Sequence, residues 1–134
     1  MALINYPLQF DDSLKQRRLR VADFTKQNGA VALNGWSPVV QHEYGFQLIQ
    51  LIASNPTGNG VAGTTTADVY GSLNGRDFEK VGTVTISAPS GVYRDASHLV
   101  LSGVWPYVGF TVTAVGTAGT VVEGLAQPVA GNLN

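Results

Sequence analysis

Glycine-containing turns divide this chain into short segments, and this division constrains the fold more than any other feature. The chain has 16 glycines in 134 residues. Between them lie short runs in which apolar residues alternate with polar or small ones, as in residues 107–115 (YVGFTVTAV). A period of two places alternate side chains on the same face of a β-strand. The pattern therefore predicts short strands joined by turns.

The predicted strands recur at a spacing of roughly ten residues, which is typical of an all-β sandwich or barrel. We expect an antiparallel β-sandwich, jelly-roll-like, with about eight or nine strands. A helix over residues 14–20, capped by Asp12 or Ser13, is the alternative to the first strand. The predicted strands cover residues 18–24, 30–33, 43–54, 64–73, 78–86, 98–101, 107–115 and 120–126.

Four features of the strand pattern can be tested against a structure. Both faces of residues 43–54 are largely apolar, so we expect this strand to be buried on both sides. Hairpin turns are predicted at Asn28-Gly29, at Asn74-Gly75 and at residues 116–119. Gly82 is expected to mark a β-bulge. Ser102-Gly103 is expected to end the strand over residues 98–101.

Length and composition predict one domain with two extensions. We expect an extended N-terminal arm over residues 1–14, a β-sandwich domain over 15–127 and a flexible tail over 128–134. With no cysteine, the chain has no disulfide framework or thiolate metal site. We find no secretory leader, and no apolar run approaches the ~20 residues that span a bilayer, so we expect no membrane association.

Ionised side chains are scarce, above all in the last third of the chain. They make up 13% of the residues, about half of the usual ~25%. From Ala96 onward the one ionised side chain is Glu123. Faces so poor in charge are expected to pack against other protein, so the composition favours a module that associates with copies of itself or with a partner. A net charge of −1 argues against nucleic acid as a ligand of the surface as a whole.

The N-terminal region is the predicted partner interface. Its apolar side chains are expected to dock on the chain's own domain or on a neighbour. The basic cluster over residues 15–20 either contacts an acidic partner, such as nucleic acid or an acidic capsid patch, or is a solvated edge strand. The predicted interface residues are Leu3, Ile4, Tyr6, Leu8, Phe10, Arg17, Arg18 and Arg20.

No set of residues indicates catalysis, a metal or a cofactor. His42 and His98 lack further metal ligands at a typical spacing, although His42 precedes Glu43. No serine lies in a nucleophile elbow, no carboxylate pair stands out, and the glycine-rich loops lack the lysine of a phosphate-binding loop. We therefore expect a non-enzymatic protein with no cofactor.

Aromatic residues leave a second function open. Trp105 and Tyr107, with Asn59 from the loop over residues 55–63, could form a surface on which a sugar ring stacks. Trp105 could equally cap the core at the entrance of a strand. The alternative function is thus a carbohydrate- or host-receptor-binding module.

Two segments resemble β-sandwich virion proteins of tailed bacteriophages. Residues 69–82 (VYGSLNGRDFEKVG) resemble a hairpin with an Asn-Gly turn, a following aromatic and a Val-Gly end. Residues 102–120 (SGVWPYVGFTVTAVGTAGT) resemble the Trp-Pro-Tyr strand and Gly-Thr hairpin that follow it. In that pattern an arginine usually stands where this chain has Gly109, so any contact of that arginine is missing here.

The resemblance implies a structural component of the phage particle, assembled in the host cytoplasm. The expected role is a capsid decoration or cement protein, or a head–tail accessory subunit, that forms a homo-oligomer such as a trimer. Its partner would be the major capsid protein or another virion protein. The glycan-binding alternative then corresponds to a module of a phage tail or fibre.

Overall fold

The computed structural model describes residues 20–129. Within this range, six β-strands form one antiparallel sheet in the order β1-β6-β2-β5-β3-β4. The strands are β1 (Ala22–Asp23), β2 (Val40–Ser54), β3 (Gly63–Ser72), β4 (Glu79–Ala88), β5 (Arg94–Ala114) and β6 (Val121–Pro128). The all-β, antiparallel prediction is confirmed, whereas the number of strands is smaller than expected.

The missing strands are explained by β5 and by the segment before β2. β5 is one strand of 21 residues, although Ser102-Gly103 was expected to break it. Gly103 has a φ of 87°, which glycine adopts without a steric penalty, so the strand bulges there and then resumes pairing with β2. The strand predicted over residues 30–33 is reduced to a single bridge between Val31 and Val122.

β5 joins the two parts of the sheet, the first made of β1, β6 and β2 and the second of β3 and β4. Each half of β5 has a different principal neighbour. Residues 94–105 pair with β2, and residues 107–114 pair with β3; Tyr107 and Val108 pair with the start of β2 as well. The segment before β2 covers the other edge of the second half, where Trp36 bridges Thr111.

The turns show which predicted hairpins exist. Asn74-Gly75 joins β3 to β4, and the register shifts between Val69 and Tyr70 opposite Gly82, so this hairpin and its bulge are confirmed. The hairpin predicted at residues 116–119 is wrong because β2 lies between β5 and β6. Asn28-Gly29 is likewise a turn that joins no pair of adjacent strands, since β1 pairs with β6.

The core lies on the inward faces of β2, β3, β5 and β6. Alternation predicts Ala67 and Val69 of β3 and Val108, Phe110, Val112 and Ala114 of β5 to face inward. All are buried except Ala114, near the end of β5, which is exposed. The fully buried apolar side chains include Phe46, Ile49, Leu51, Val69, Val108, Phe110, Val112 and Val122.

β2 departs from its prediction in a way that bears on function. Ile49 and Leu51 are fully buried, but Leu48 and Gln50 on the other face are exposed. This strand is therefore buried on one side, because no element among residues 20–129 packs on the other. At the chain end, β6 continues through Pro128, past the point where the tail was expected to begin.

Candidate functional site

The outward face of β1, β6, β2 and the first half of β5 presents apolar side chains to solvent. Strand register sets this arrangement. Leu48 pairs with Val100 on one side and Gln127 on the other. Paired residues point to the same side of a sheet, so these side chains form a row. Gln50 pairs in the same way with His98 and Leu125, which adds a second row.

These rows, with the residue before β1, line a shallow depression of about 430 Å³, which we call the outer face. None of its seven lining side chains is Asp, Glu, Lys or Arg. A second depression of about 690 Å³ shares Val21 and Leu125 with it and continues toward Phe24. The outer face consists of Val21, Leu48, Gln50, His98, Val100, Leu125 and Gln127.

The exposure of these apolar side chains is high. Val100 is 63% exposed, Val21 42% and Leu48 41%. Isolated exposed hydrophobic residues are common, whereas contiguous ones often mark an interaction surface. Among the described residues, an ion pair on this side of the sheet joins Arg94 to Glu123 at 3.2 Å, farther along the same strands. The surface can therefore bind another protein without leaving a buried charge unpaired.

The predicted N-terminal interface meets this surface at its described end. Arg20 is exposed and directly precedes Val21 of the outer face. The other predicted interface residues lie outside the described residues: Leu3, Ile4, Tyr6, Leu8, Phe10, Arg17 and Arg18.

Trp105 and Tyr107 lie close to the hairpin between β3 and β4. A Cβ on Gly71 would lie 2.8 Å from the indole of Trp105, and a Cβ on Gly75 would lie 2.9 Å from the ring of Tyr107. The indole N–H of Trp105 donates to the carbonyl of Ser102 at 3.2 Å. Both rings are half-buried, so each glycine provides the space in which an aromatic ring packs.

Asn59 is not brought together with these two rings. It belongs to the exposed loop before β3, whereas the rings lie where β3 ends. The eight residue-to-residue steps from Gly63 to Gly71 correspond to roughly 25 Å of extended strand. Asn55 orders this loop through Nδ2–H bonds to the carbonyls of Gly60 and Ala118 at 2.7 and 3.2 Å.

A second aromatic pair, in which one ring is exposed, lies at a different place and was not singled out by the sequence. Trp36 is 62% exposed, and its ring lies 5.0 Å from that of Tyr70 at an interplanar angle of 50°. Trp36 follows the Asn34-Gly35 turn, where no alternating pattern assigns a side chain to a face. Only the pairing between the segment before β2 and β5, which the sequence does not reveal, brings Trp36 next to Tyr70.

The two histidines lie at different places in the sheet. Nδ1 of His42 accepts a hydrogen bond from the backbone N–H of Tyr44 at 3.1 Å, and His98 lies on the outer face. Residues 20–129 contain no group of three or more His, Asp or Glu side chains arranged to hold a metal ion.

Comparison with protein-family models, with curated proteins and with solved structures finds no match to this chain. No helix within residues 20–129 is long and apolar enough to cross a membrane.

Proposed function

We propose that this protein is a non-enzymatic structural subunit of a bacteriophage particle. Its role is that of a capsid decoration or cement protein, or of a head–tail accessory subunit, and it acts through contacts with its own copies and with a virion protein. The observation that carries the assembly function is the uncharged outer face, where Val100, Leu48 and Val21 are in solvent. The phage assignment rests on the resemblance of residues 69–82 and 102–120 to virion proteins.

A second copy of this chain is the occupant that the outer face fits best. Two such surfaces can meet without burying an unpaired charge, since their polar members are Gln50, His98 and Gln127. A net charge of −1 causes little repulsion between copies. A specific contact buries about 800 Å² on each partner. Apolar burial contributes about 25 cal/mol per Å², part of which offsets the cost of association.

A sandwich of jelly-roll-like form is the finer fold that we propose for this sheet. β4 and β5 are not neighbours in the sheet. A Cβ on Gly82 in β4 would nevertheless collide with Leu99 in the first half of β5. This contact is what a sheet folded over its own core requires, and the outer face would then lie on the outside of one layer.

Light scattering of the purified chain with a charge placed on the outer face tests the assembly function. We expect the wild-type chain to be an oligomer at micromolar concentration and Val100→Asp to shift the mass toward the monomer. The control is Leu73→Asp, because Leu73 is 72% exposed in the turn between β3 and β4. Both substitutions replace solvent-exposed side chains, so the circular dichroism spectrum should persist in each.

A wild-type monomer with no affinity for purified capsid shells would contradict this function. An oligomer equally weakened by Leu73→Asp would show that added negative charge, and not the outer face, controls association. Shell binding measured by co-sedimentation distinguishes a cement role from simple self-association.

A further inference from the structure

The aromatic pair of Trp36 and Tyr70 lies on the outward face of the second part of the sheet, away from the outer face. Strand register defines its surroundings. Trp36 bridges Thr111, and Thr111 pairs with Asp68. Asp68 pairs in turn with Thr83, so these four side chains form one row across the sheet.

The backbone around Trp36 is held firmly even though its ring is exposed. The N–H of Ser37 donates to the carbonyl of Phe110 at 2.8 Å, and the N–H of Phe110 donates to Oγ of Ser37 at 2.8 Å. The carbonyl of Gly35 accepts from Oγ1 of Thr111 at 2.7 Å. The ring is thus presented from a fixed backbone, which lowers the entropy that a ligand would have to offset.

Polar groups lie beside the rings at a distance that suits a small ligand. Oδ1 of Asp68 accepts from Oγ1 of Thr83 at 2.9 Å and lies 3.3 Å from Nζ of Lys80. Among residues 20–129, the hydrogen bonds and ion pairs of this carboxylate all use Oδ1, which leaves Oδ2 as an available acceptor. Asp68 is two strands from Trp36, a separation of about 10 Å.

We propose that Trp36, Tyr70 and Asp68 form a binding site for a neutral disaccharide. One sugar ring stacks on the exposed indole, because the C–H bonds of a pyranose face carry partial positive charge and the face of an aromatic ring is negative. The second ring reaches Asp68, where a hydroxyl donates to Oδ2. Lys80 already neutralises the charge of Asp68, so the site has no free positive charge to attract an acidic sugar. The carboxylate of such a sugar would also lie next to the carboxylate of Asp68, so a neutral ligand is favoured.

This site goes beyond the assembly function and does not depend on it. It also differs from the site expected at Trp105, Tyr107 and Asn59. The indole N–H of Trp105 is occupied by the carbonyl of Ser102, whereas Trp36 offers its ring to solvent.

The test begins with an array of neutral and sialylated oligosaccharides, followed by titration of the best neutral disaccharide. The chain has two tryptophans, so a ¹H–¹⁵N spectrum contains two indole signals. We expect the Trp36 signal to move saturably and the Trp105 signal to stay. One small ligand on an open surface should bind with a dissociation constant on the order of 1 mM.

Three variants localise the site. Trp36→Ala should abolish binding, while Tyr93→Ala should retain it, because Tyr93 is a comparably exposed aromatic, at 66%, outside the aromatic pair. Asp68→Asn keeps an oxygen that can accept the hydrogen bond from Thr83, and it should weaken the binding of the disaccharide by about threefold or more. The corresponding methyl monosaccharide should bind Asp68→Asn and wild type equally.

The proposal is overturned by three results. No neutral oligosaccharide moves the Trp36 indole signal at millimolar concentration, or binding survives Trp36→Ala and moves the Trp105 signal instead. The third is a change in the oligomer's mass on Trp36→Ala without any sugar binding, which would make the aromatic pair a contact between subunits.

Discussion

Phe24, Leu51 and Phe110 meet over Gly124 at the centre of the core. The two phenylalanine rings lie 5.3 Å apart and nearly perpendicular, the edge-to-face geometry that aromatic pairs prefer. A Cβ on Gly124 would lie 2.7 Å from Phe110, 2.9 Å from Leu51 and 2.9 Å from Phe24. At this point β6 has room for a hydrogen atom and for nothing larger.

Gly124→Ala should therefore overpack the core. Three buried side chains would have to shift together, which we expect to lower the free energy of unfolding by about 1–3 kcal/mol. Urea denaturation measures this change in the free energy of unfolding. Gly109→Ala is the matched control, because a Cβ there meets its nearest atoms at 3.6 Å, an ordinary contact. Its effect should stay below about 1 kcal/mol. Equal destabilisation by the two substitutions would contradict this account.

At the same scale, sequence periodicity predicted the buried residues better than the exposed ones. Alternation correctly placed Val108, Phe110 and Val112 inside. It could not show that Leu48 is exposed, because it tells which residues share a face and not whether another layer covers that face. Thr111 shares the outward face with Trp36, as its position in the alternation predicts, yet it is only 8% exposed under the bridge from Trp36.

Among the elements, β5 matters most, because it pairs with both β2 and β3, and the bulge at Gly103 lies between Val100 and Trp105, which both pair with β2. A φ of 87° is costly for any residue with a Cβ, and most of all for a β-branched one. The space around Gly103 is open, since the nearest atom to an added Cβ is the indole nitrogen of Trp105 at 3.8 Å. The cost of a substitution there is consequently conformational and not steric.

Gly103→Val should destabilise the fold by about 1–3 kcal/mol through this backbone conformation. The control is Ser102→Val, which places the same side chain on the preceding exposed residue and should cost less than about 0.5 kcal/mol. Thermal unfolding followed by circular dichroism compares the two. If Gly103→Val is as stable as Ser102→Val, the bulge does not depend on glycine.

Strand connectivity was the hardest property to predict. Asn74-Gly75 gave the correct hairpin because a two-strand turn is encoded locally. The order β6-β2-β5 was not predictable in this way, because β2 inserts between two strands that follow each other in the chain. Such pairings depend on long-range packing, and short motifs such as Gly116–Gly119 carry no information about them.

For the whole molecule, the proposed assembly combines a described surface with the N-terminal residues. Val21 belongs to the outer face, and the apolar Leu3, Ile4, Tyr6, Leu8 and Phe10 precede it in the sequence. Ten residues of chain can span roughly 33 Å. The width of four strands is only about 15 Å. An extended segment of this length is long enough to cross the outer face.

Deletion of residues 1–14 should weaken the oligomer or its binding to capsid shells while the fold persists. The physical reason is that the proposal places the apolar side chains of this segment against a neighbouring copy or a partner protein. Light scattering gives the mass, co-sedimentation gives shell binding, and circular dichroism checks the fold. Combining the deletion with Val100→Asp shows whether both act on one interface, since coupled effects are then not additive. A truncated chain with wild-type mass and wild-type shell binding would show that the arm is passive and leave the outer face to carry the contact.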